Sequence, residues 1–190
     1  MMDTMGTDLR GLLAELHERG REHDARQQRH DDKLRNLEPE TAALTSVFVR
    51  SSGRRHLLEI GTSNGYSTIW LAWAARATGG RVTSVEVDPG RQAMADENLR
   101  RTDLRELVDL ELGDATEVVG DLAGPFDLVF FDADRVSAPA QLELLHPKLA
   151  CDVMVLADNV ISHPEEVAGY LEALARLRGF DRIVVPVARA

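Results

Sequence analysis

The sequence predicts an α/β fold with a mostly parallel, doubly wound sheet, in which helices cover both faces of the sheet. Two patterns in the 190 residues support this prediction. Short apolar segments of strand length alternate with longer segments of helical character, which is the order expected for a parallel sheet. Each of the first five apolar segments also ends in or beside an acidic residue. Because the carboxyl ends of parallel strands share one edge, these acids are expected to converge on one cleft.

The chain begins with a predicted amphipathic helix. Leu9, Leu12, Leu13 and Leu16 occupy the i, i+3, i+4 and i+7 positions of one helical face. The segment 19–32 contains almost no apolar residue and carries charges of both signs, so it is interpreted as a solvated helix or a connector.

Strands and helices then alternate to the end of the chain. The first predicted strand begins at Leu57, and the others cover 81–86, 107–112, 126–131, 152–157 and 182–187. The predicted helices begin at Pro39, cover 68–75, 89–101 and 139–149, and begin again at Pro164. The single cysteine, Cys151, precedes the fifth strand and is expected to be buried and unreactive.

The composition narrows the classes of function. Hydrophobic residues make up 44% and charged residues 28% of the chain, which is typical of a globular protein. The net charge of −10 disfavours a nucleic-acid partner, because affinity for phosphates depends on Lys and Arg. No apolar run approaches a membrane span and no secretory signal is recognised, so a cytoplasmic protein without membrane contact is expected. One cysteine also excludes an internal disulfide.

A glycine-containing loop follows the first predicted strand. Gly61 and Gly65 bracket a tight turn between that strand and an apolar helix. Glycines let a ligand approach the backbone closely, and the exposed N–H groups of a helix start attract it. The spacing is not the G-x-G-x-x-G of dinucleotide-binding proteins, so a dehydrogenase is disfavoured. Glu59, an acid within an apolar strand, is costly to bury unless it binds something.

Two other strand-end acids suit a nucleoside ligand. Glu86 follows Gly65 by 21 residues, the offset at which an acid ending the second strand meets ribose hydroxyls. A carboxylate can accept both hydroxyl protons. Asp114 follows the third strand, where it can accept a hydrogen bond from an adenine amino group.

The acids of the fourth and fifth strands suit a hard cation. Asp132, Asp158 and Asn159 offer only oxygen atoms, which favour Mg²⁺, Mn²⁺ or Ca²⁺ over zinc. If the two strands are adjacent, one ion is within reach of all three. The alternative for Asp158 and Asn159 is an Asx turn that ends the strand.

At this point the chain resembles one family closely. Five motifs match, in order and spacing, the cation-dependent class I O-methyltransferases that use S-adenosylmethionine (SAM), the catechol and caffeoyl-coenzyme A O-methyltransferase-like enzymes. The motifs are LEIGTSNGYS (58–67), VEVD (85–88), GDA (113–115), FDLVFFDAD (126–134) and ADNV (157–160). The resemblance implies a Rossmann-like methyltransferase domain over residues 36–190, preceded by a helical extension over residues 1–35.

The resemblance also implies a role for each matching residue. SAM would contact Leu37, the loop and the acids of the first four strands, and Mg²⁺ would lie between the last two acids. The implied cofactor-binding residues are Leu37, Glu59, Gly61, Thr62, Ser63, Gly65, Ser67, Glu86, Asp114, Ala115 and Asp132, and the implied metal ligands are Asp132, Asp158 and Asn159.

One departure from the family concerns the catalytic base. The family commonly has lysine where this chain has Arg135. A guanidinium stays protonated and cannot serve as a base. We therefore expect Arg135 to orient an acidic group of the substrate or to pair with Asp134, and Asp134 or water to accept the proton. These two residues are the predicted catalytic residues. The segment after the last helix is also too short for the antiparallel strand pair that the family usually has.

The leading prediction is a SAM- and cation-dependent O-methyltransferase for a small catechol-like or other vicinal-oxygen acceptor, in a chain that forms a homodimer. A tRNA-modifying methyltransferase is the first alternative, and a basic patch around Arg50, Arg54 and Arg55 is the feature it would need. A SAM-binding protein without turnover is the second, and Arg135 motivates it.

Overall fold

The protein, seen here in a computed structural model, folds around a five-stranded parallel sheet. The structure describes residues 5–158, 160–161, 164–177 and 179–187. The strands are β1 (His56–Ile60), β2 (Arg81–Glu86), β3 (Val108–Leu112), β4 (Phe126–Phe131) and β5 (Leu149–Ala157). Their spatial order is β3-β2-β1-β4-β5, and every neighbouring pair is parallel. The order reverses between β1 and β4, and a ligand cleft is expected beyond the strand ends at this point.

Seven α-helices lie in the described part of the chain. They are α1 (Thr7–Arg26), α2 (Pro39–Ser52), α3 (Tyr66–Thr78), α4 (Pro89–Arg100), α5 (Ala115–Asp121), α6 (Ala138–Leu145) and α7 (Pro164–Arg176). None of these helices combines the length and apolar composition needed to cross a bilayer.

The core consists of two clusters, one on each face of the sheet. Alternate residues of a strand point to opposite faces, so Leu57 belongs to the cluster beneath α1, α2 and α3, and Leu58 to the cluster beneath α5, α6 and α7. The predicted leucine face of α1 packs into the first cluster through Leu12, Leu13 and Leu16. The leucine face of α1, which was the reason to expect a homodimer, is therefore used within the chain. The homodimer remains a prediction without this support.

The predicted doubly wound α/β fold is confirmed, and three of the differences from the predicted elements have a physical reason. Helix α1 continues through the charged segment to Arg26, where intrahelical pairs such as Arg19–Glu15 support it. Helix α5 was not predicted. It begins because the Asp114 carboxylate accepts hydrogen bonds from the backbone N–H groups of Thr116 (2.8 Å) and Glu117 (3.4 Å). Strand β5 begins three residues earlier than expected.

Two predictions near the carboxyl end are wrong. The segment 182–187 is not a strand. Its apolar side chains Ile183, Val184 and Val185 are exposed, and a strand needs a neighbouring backbone to pair with. Cys151 is exposed rather than buried, because it lies near the start of β5 at the edge of the sheet.

Candidate functional site

A cleft of about 270 Å³ opens at the carboxyl edge of the sheet. Its walls are the segments that follow β1, β2, β3 and β4, together with a segment that we call the strap (residues 31–37), which joins α1 to α2. Most of the predicted cofactor and catalytic residues line this cleft: Leu37, Gly61, Thr62, Ser63, Ser67, Glu86, Asp114, Ala115, Asp132, Asp134 and Arg135. Three of the five strand-end acids, Glu86, Asp114 and Asp132, therefore converge on this cleft as predicted.

Gly61 fixes the distance between the glycine loop and the end of β4. Its φ angle is +105°, and a Cβ atom placed there would lie 2.4 Å from the carbonyl oxygen of Asp132. The backbones meet here because the N–H of Asp132 donates to Ile60 (2.9 Å) and the N–H of Gly61 donates to Val85 (3.0 Å). Gly65 also has a positive φ, +84°, and it precedes α3. The loop thus requires glycine at both positions.

Glu59 lies beneath the loop and not in the wall of the cleft. Its side chain is fully buried and its Oε2 atom accepts hydrogen bonds from the hydroxyls of Thr68 (2.5 Å) and Ser84 (2.6 Å). The Ser84 hydroxyl also shares a 2.6 Å hydrogen bond with Thr62. Burial raises the pKa of Glu59 to about 7, although hydrogen bonds from Ser67, Ser84 and Thr68 partly oppose the rise. Glu59 therefore joins β1, β2 and α3 below the ligand-binding surface.

This buried acid predicts a pH-dependent stability. The folded pKa of about 7 exceeds the reference value of 4.5, so the folded protein keeps a proton that the unfolded chain loses. The stabilisation is complete below about pH 4.5 and is lost as the pH rises through 7, for a total of about 3 kcal/mol. Urea titrations from pH 5 to 8 should show this decline in the parent protein. Glu59→Gln, which stays neutral, should show a smaller decline.

The control for this experiment is Glu18→Gln, a change of an exposed side chain on α1. It should reproduce the parent's pH dependence. Equal pH slopes for the parent and Glu59→Gln would contradict the raised pKa.

Glu86 supports the loop and lines the cleft. Its Oε2 atom accepts a hydrogen bond from the N–H of Ser63 (2.7 Å), and its Oε1 atom accepts one from the N–H of Asp88 (2.9 Å). The side chain is buried. Each carboxylate oxygen has a second lone pair, so the two backbone bonds leave acceptor capacity for a ligand hydroxyl.

The strap is held over the cleft by side chains distant in sequence. Asp24 of α1 accepts the N–H groups of Leu34 (2.7 Å) and Arg35 (2.8 Å), and the Ser63 hydroxyl donates to the carbonyl of Leu34 (2.9 Å). The Arg91 guanidinium donates to two further strap carbonyls, those of residues 31 and 33. Arg35 has a φ of +52°, an uncommon conformation for a residue other than glycine. Such a conformation costs about 1–3 kcal/mol and persists only where surrounding contacts enforce it.

Asp132 and Asp158 come together at the ends of β4 and β5. The strands pair in register up to Phe131 and Ala157, and the N–H of Asp158 donates to the carbonyl of Phe131 (3.2 Å). Both aspartates border a cavity of about 20 Å³ beside the main cleft, a volume that can hold one water-sized species. Burial raises the pKa of Asp132 well above its usual range, and the charges of Asp158 and Glu59 raise it further, whereas Arg35 and Arg135 oppose this.

This donor set fits a hard divalent cation, because it offers only carboxylate oxygens and its negative charges repel each other. The third predicted ligand, Asn159, lies outside the described residues. Within those residues, no group of three or more acidic, histidine or cysteine side chains forms a ligand cluster. The structure thus brings together the two predicted aspartate ligands, and the three-residue metal site remains a prediction.

Asp134 and Arg135 lie in the wall of the cleft but make contacts that the sequence did not indicate. Arg135 forms an ion pair with Glu166 of α7, with 2.8 Å between Nη1 and Oε2. Asp134 accepts hydrogen bonds from Val136 and Ser137 at the turn that precedes α6. Burial raises the pKa of Asp134, but these hydrogen bonds and the charge of Arg135 outweigh it, so the pKa is lowered. A carboxylate with a lowered pKa is a weaker base.

Sequence reasoning missed several residues of this cleft, among them two arginines and a buried glutamine. Arg35, Arg91 and Gln141 all line it. Gln141 could have been found from the sequence, because it is a polar residue on the apolar face of a predicted helix. In the structure it is 3% exposed, and its Oε1 atom has no hydrogen-bond partner in the part of the chain that the structure describes. No sequence pattern indicated Arg35 or Arg91, since their positions depend on how the strap crosses the glycine loop.

Comparisons with known proteins agree with this geometry. The profile of a family described as "Methyltransferase domain" matches residues 58–160, from β1 through the end of β5. A catechol O-methyltransferase from Niastella koreensis is 33% identical over 133 residues, and one from Mycobacterium tuberculosis is 40% identical over 108 residues. These alignments cover 66% and 56% of this chain but only 58% and 49% of the two relatives, so the matches span about half the length of those enzymes.

A solved structure shares both the fold and the cofactor chemistry of the prediction. The O-methyltransferase TomG from Streptomyces achromogenes, determined in complex with SAM, superimposes with a TM-score of 0.71 and 25% identity. The superposition covers 95% of this chain and 82% of that one. The family profile covers more than half of the chain, and the glycine loop, Glu86 and the strand-end aspartates lie within it. The chain therefore belongs to the methyltransferase-domain family, on the class I fold of its O-methyltransferase relatives.

Proposed function

We propose that this protein is a SAM-dependent, divalent-cation-dependent O-methyltransferase that acts on a small acceptor with vicinal oxygens. The observation that carries the proposal is the adjacency of two sites at one sheet edge. The cleft under the strap offers the loop and Glu86 to a nucleoside-type ligand, and the pair Asp132 and Asp158 borders it. The SAM-bound neighbour supports the cofactor half of the proposal, and the catechol O-methyltransferase relatives support the class of acceptor.

The residues of the cleft suit the parts of SAM. Glu86 would accept the ribose hydroxyls while its backbone partners hold it in place. Asp114 and Ala115, at the start of α5, would border the adenine. Ser67, in the first turn of α3, would face the methionine carboxylate near the positive end of that helix. The strap would cover the cofactor, because Leu34 and Leu37 line the cleft and are buried.

The chain's own groups would position the acceptor. A divalent cation held by Asp132 and Asp158 would supply Lewis-acid stabilisation of an acceptor oxygen. In the transfer, an oxygen lone pair of the acceptor forms the new C–O bond and the S–CH₃ bond breaks. The electron pair of the broken bond stays on the sulfur, which becomes a neutral thioether. The acceptor's proton passes to solvent. Ionising a phenol of pKa about 10 at pH 7 costs about 4 kcal/mol, so this stabilisation matters.

The proton acceptor in this scheme is water and not a side chain of the cleft. Arg135 cannot accept a proton, and it is bound to Glu166. Asp134 is exposed and has a lowered pKa, so it is a weak base that holds the turn before α6. Exposure of this turn leaves a path for the proton to solvent.

The alternative of a tRNA-modifying methyltransferase would need a basic patch around Arg50, Arg54 and Arg55, and two of these three arginines are already engaged. Arg50 stacks on the Trp73 ring at 4.4 Å, and Arg54 pairs with Asp152 at 3.0 Å. Both charges are engaged within the chain, so a phosphate backbone would have to compete with these contacts.

The first test is methyl transfer from labelled SAM to catechol in the presence of Mg²⁺. The accompanying variant is Glu86→Ala, which should weaken S-adenosylhomocysteine (SAH) binding in calorimetry by about 10- to 100-fold. The substitution would remove charge-assisted hydrogen bonds to the ribose, and it would also leave the Ser63 N–H without the carboxylate that accepts from it. Glu111→Ala, on the neighbouring strand β3, is the matched control and should leave the affinity unchanged. SAH affinity that is equal in parent and Glu86→Ala protein would contradict the ribose assignment.

A further inference from the structure

We propose that the amide oxygen of Gln141 accepts a hydrogen bond from a water ligand of the cation that Asp132 and Asp158 would hold, and that it thereby positions this cation. The inference rests on the proposed cation-dependent function and adds a positioning residue to it. The juxtaposition that carries it is a buried amide oxygen, without a partner among the described residues, in the wall of the small cavity that both aspartates border.

Gln141 is a polar residue on the buried face of α6. It is 3% exposed, and its neighbours on this face, Ala138, Leu142 and Leu145, are apolar and buried. Its backbone N–H donates to the carbonyl of Ser137 (3.1 Å), so the helix satisfies that donor. The Oε1 atom has no hydrogen-bond partner in the described chain. A buried amide oxygen is costly without a partner, so its presence here indicates a ligand that donates a proton.

The small cavity gives this oxygen access to a ligand. Gln141 borders both that cavity and the main cleft, and the cavity volume of about 20 Å³ suits one water molecule. The ionised carboxylates of Asp132 and Asp158 can only accept hydrogen bonds. Arg135, in the same wall, is paired with Glu166. A water molecule can donate a proton to Gln141 and still offer a lone pair to a cation.

The chemistry of a hard cation requires such a water. Mg²⁺ bound by one or two carboxylates keeps several of its water ligands. The protons of these waters need acceptors in a site that excludes bulk solvent, and an amide oxygen supplies one without adding a charge. Groups that orient the ligands of a metal ion contribute about 10- to 100-fold to its affinity. Gln141 would therefore strengthen cation binding without contacting the cation.

The test compares variants that remove or keep the acceptor oxygen. Gln141→Met removes the amide and keeps an unbranched side chain of similar length, whereas Gln141→Glu keeps an acceptor oxygen. Gln92→Met is the matched control, because Gln92 also has a buried amide atom without a partner in the described chain, but it lies on α4 and borders neither cavity.

Four measurements are made on each protein. Electron paramagnetic resonance gives the Mn²⁺ affinity, and broadening of the Mn²⁺ signal in water enriched in ¹⁷O gives the number of water ligands. Calorimetry measures SAH binding. Thermal unfolding without cation shows that each variant is folded.

We expect Gln141→Met to bind Mn²⁺ about 10- to 100-fold more weakly than the parent, with an unchanged number of water ligands. Gln141→Glu should bind Mn²⁺ at least as tightly as the parent, and Gln92→Met should stay within about threefold of it. SAH affinity should be equal in all four proteins. The cation-free melting temperature of Gln141→Met should be close to that of the parent, because replacing an unpaired buried polar group by an apolar one of similar size is nearly neutral.

Three results would overturn the inference. The Mn²⁺ affinity of Gln141→Met equals that of the parent, or this variant gains one water ligand, which would make Gln141 itself a ligand, or Gln141→Glu binds as weakly as Gln141→Met. Failure of the proposed function looks different. A parent that binds Mn²⁺ but transfers no methyl group contradicts the proposed function alone, and the Mn²⁺ affinities still decide the role of Gln141. A parent that binds no Mn²⁺ overturns both.

Discussion

Gly61→Ala is expected to destabilise the protein and to weaken SAH binding at least 100-fold. An alanine at a φ of +105° carries a cost of about 1–2 kcal/mol, and its Cβ would lie 2.4 Å from the Asp132 carbonyl oxygen and 2.8 Å from its carbonyl carbon. Neither atom belongs to a flexible side chain, so the backbone of the loop or of the β4 end must move. Overpacking of this kind adds about 1–3 kcal/mol. The two contributions together, about 2–5 kcal/mol, should lower the melting temperature by roughly 4–20 °C.

The loss of binding has the same cause. Gly61 and Asp132 both line the cleft, and their backbones are joined through the hydrogen bonds of Ile60 and Val85. Separating them would shift the loop relative to the aspartate pair. Thermal unfolding and SAH calorimetry below the lowered melting temperature measure the two effects independently.

Gly53→Ala provides the matched control for this substitution. Gly53 ends α2 with a φ of +70°, and a Cβ there would meet nothing within 4 Å. This variant should carry only the conformational cost, about 1 kcal/mol, with normal SAH affinity. If Gly61→Ala behaves like Gly53→Ala in both measurements, the close approach to Asp132 has no functional consequence.

The sheet was predictable because its signals are local. The runs that became β1, β2 and β4 are apolar, of strand length and bounded by turn residues. The limits of β2 and β4 in the structure agree with the prediction, and β1 begins one residue earlier than predicted. The position of Glu86 beside the glycine loop also followed from the sequence, since a fixed topology brings the end of the second strand to that loop. Elements that form only when another segment pairs with them were harder to predict from the sequence. The segment 182–187 has strand-like composition, but no strand pairs with it in the part of the chain that the structure describes.

The face of the sheet to which Glu59 points could be predicted from the alternation of side chains along β1, but not from the family motif. Glu59 alternates with Leu58 and Ile60, which both face α5, α6 and α7. It therefore points to the other face, under α3, where Thr68 and Ser84 bind it. The period of two could have placed it there from sequence alone.

Arg35 was beyond the reach of sequence reasoning for a different reason. Its conformation is enforced by Asp24, which lies 11 residues earlier, and its place over the cleft by Ser63, which contacts the neighbouring Leu34 across 29 residues. No periodicity or motif encodes a contact of this kind. The strap side of the cleft is therefore less predictable than the side formed by the sheet edge.

Asp158→Ala is expected to abolish cation-stimulated methyl transfer while it leaves SAH binding nearly intact. The aspartate borders the small cavity beside Asp132 and is not in the wall of the main cleft. Removing it would leave Asp132 as the one described carboxylate ligand between β4 and β5. The stabilisation of an ionised acceptor oxygen, about 4 kcal/mol for a phenol at pH 7, would be lost, so turnover should fall about 1000-fold.

The experiment has a binding readout that does not depend on turnover. Mn²⁺ titration followed by electron paramagnetic resonance should show one site in the parent and at least tenfold weaker binding in Asp158→Ala, because one of two described carboxylate ligands is gone. Asp152→Ala removes an exposed carboxylate near the start of the same strand, where it pairs with Arg54, and should leave the cation site and turnover unchanged. SAH affinity should stay within about threefold of the parent in both variants, a difference below about 0.7 kcal/mol. Turnover in excess chelator equal to that with Mg²⁺ would show that the transfer needs no cation and that the two aspartates meet at the strand ends for another reason.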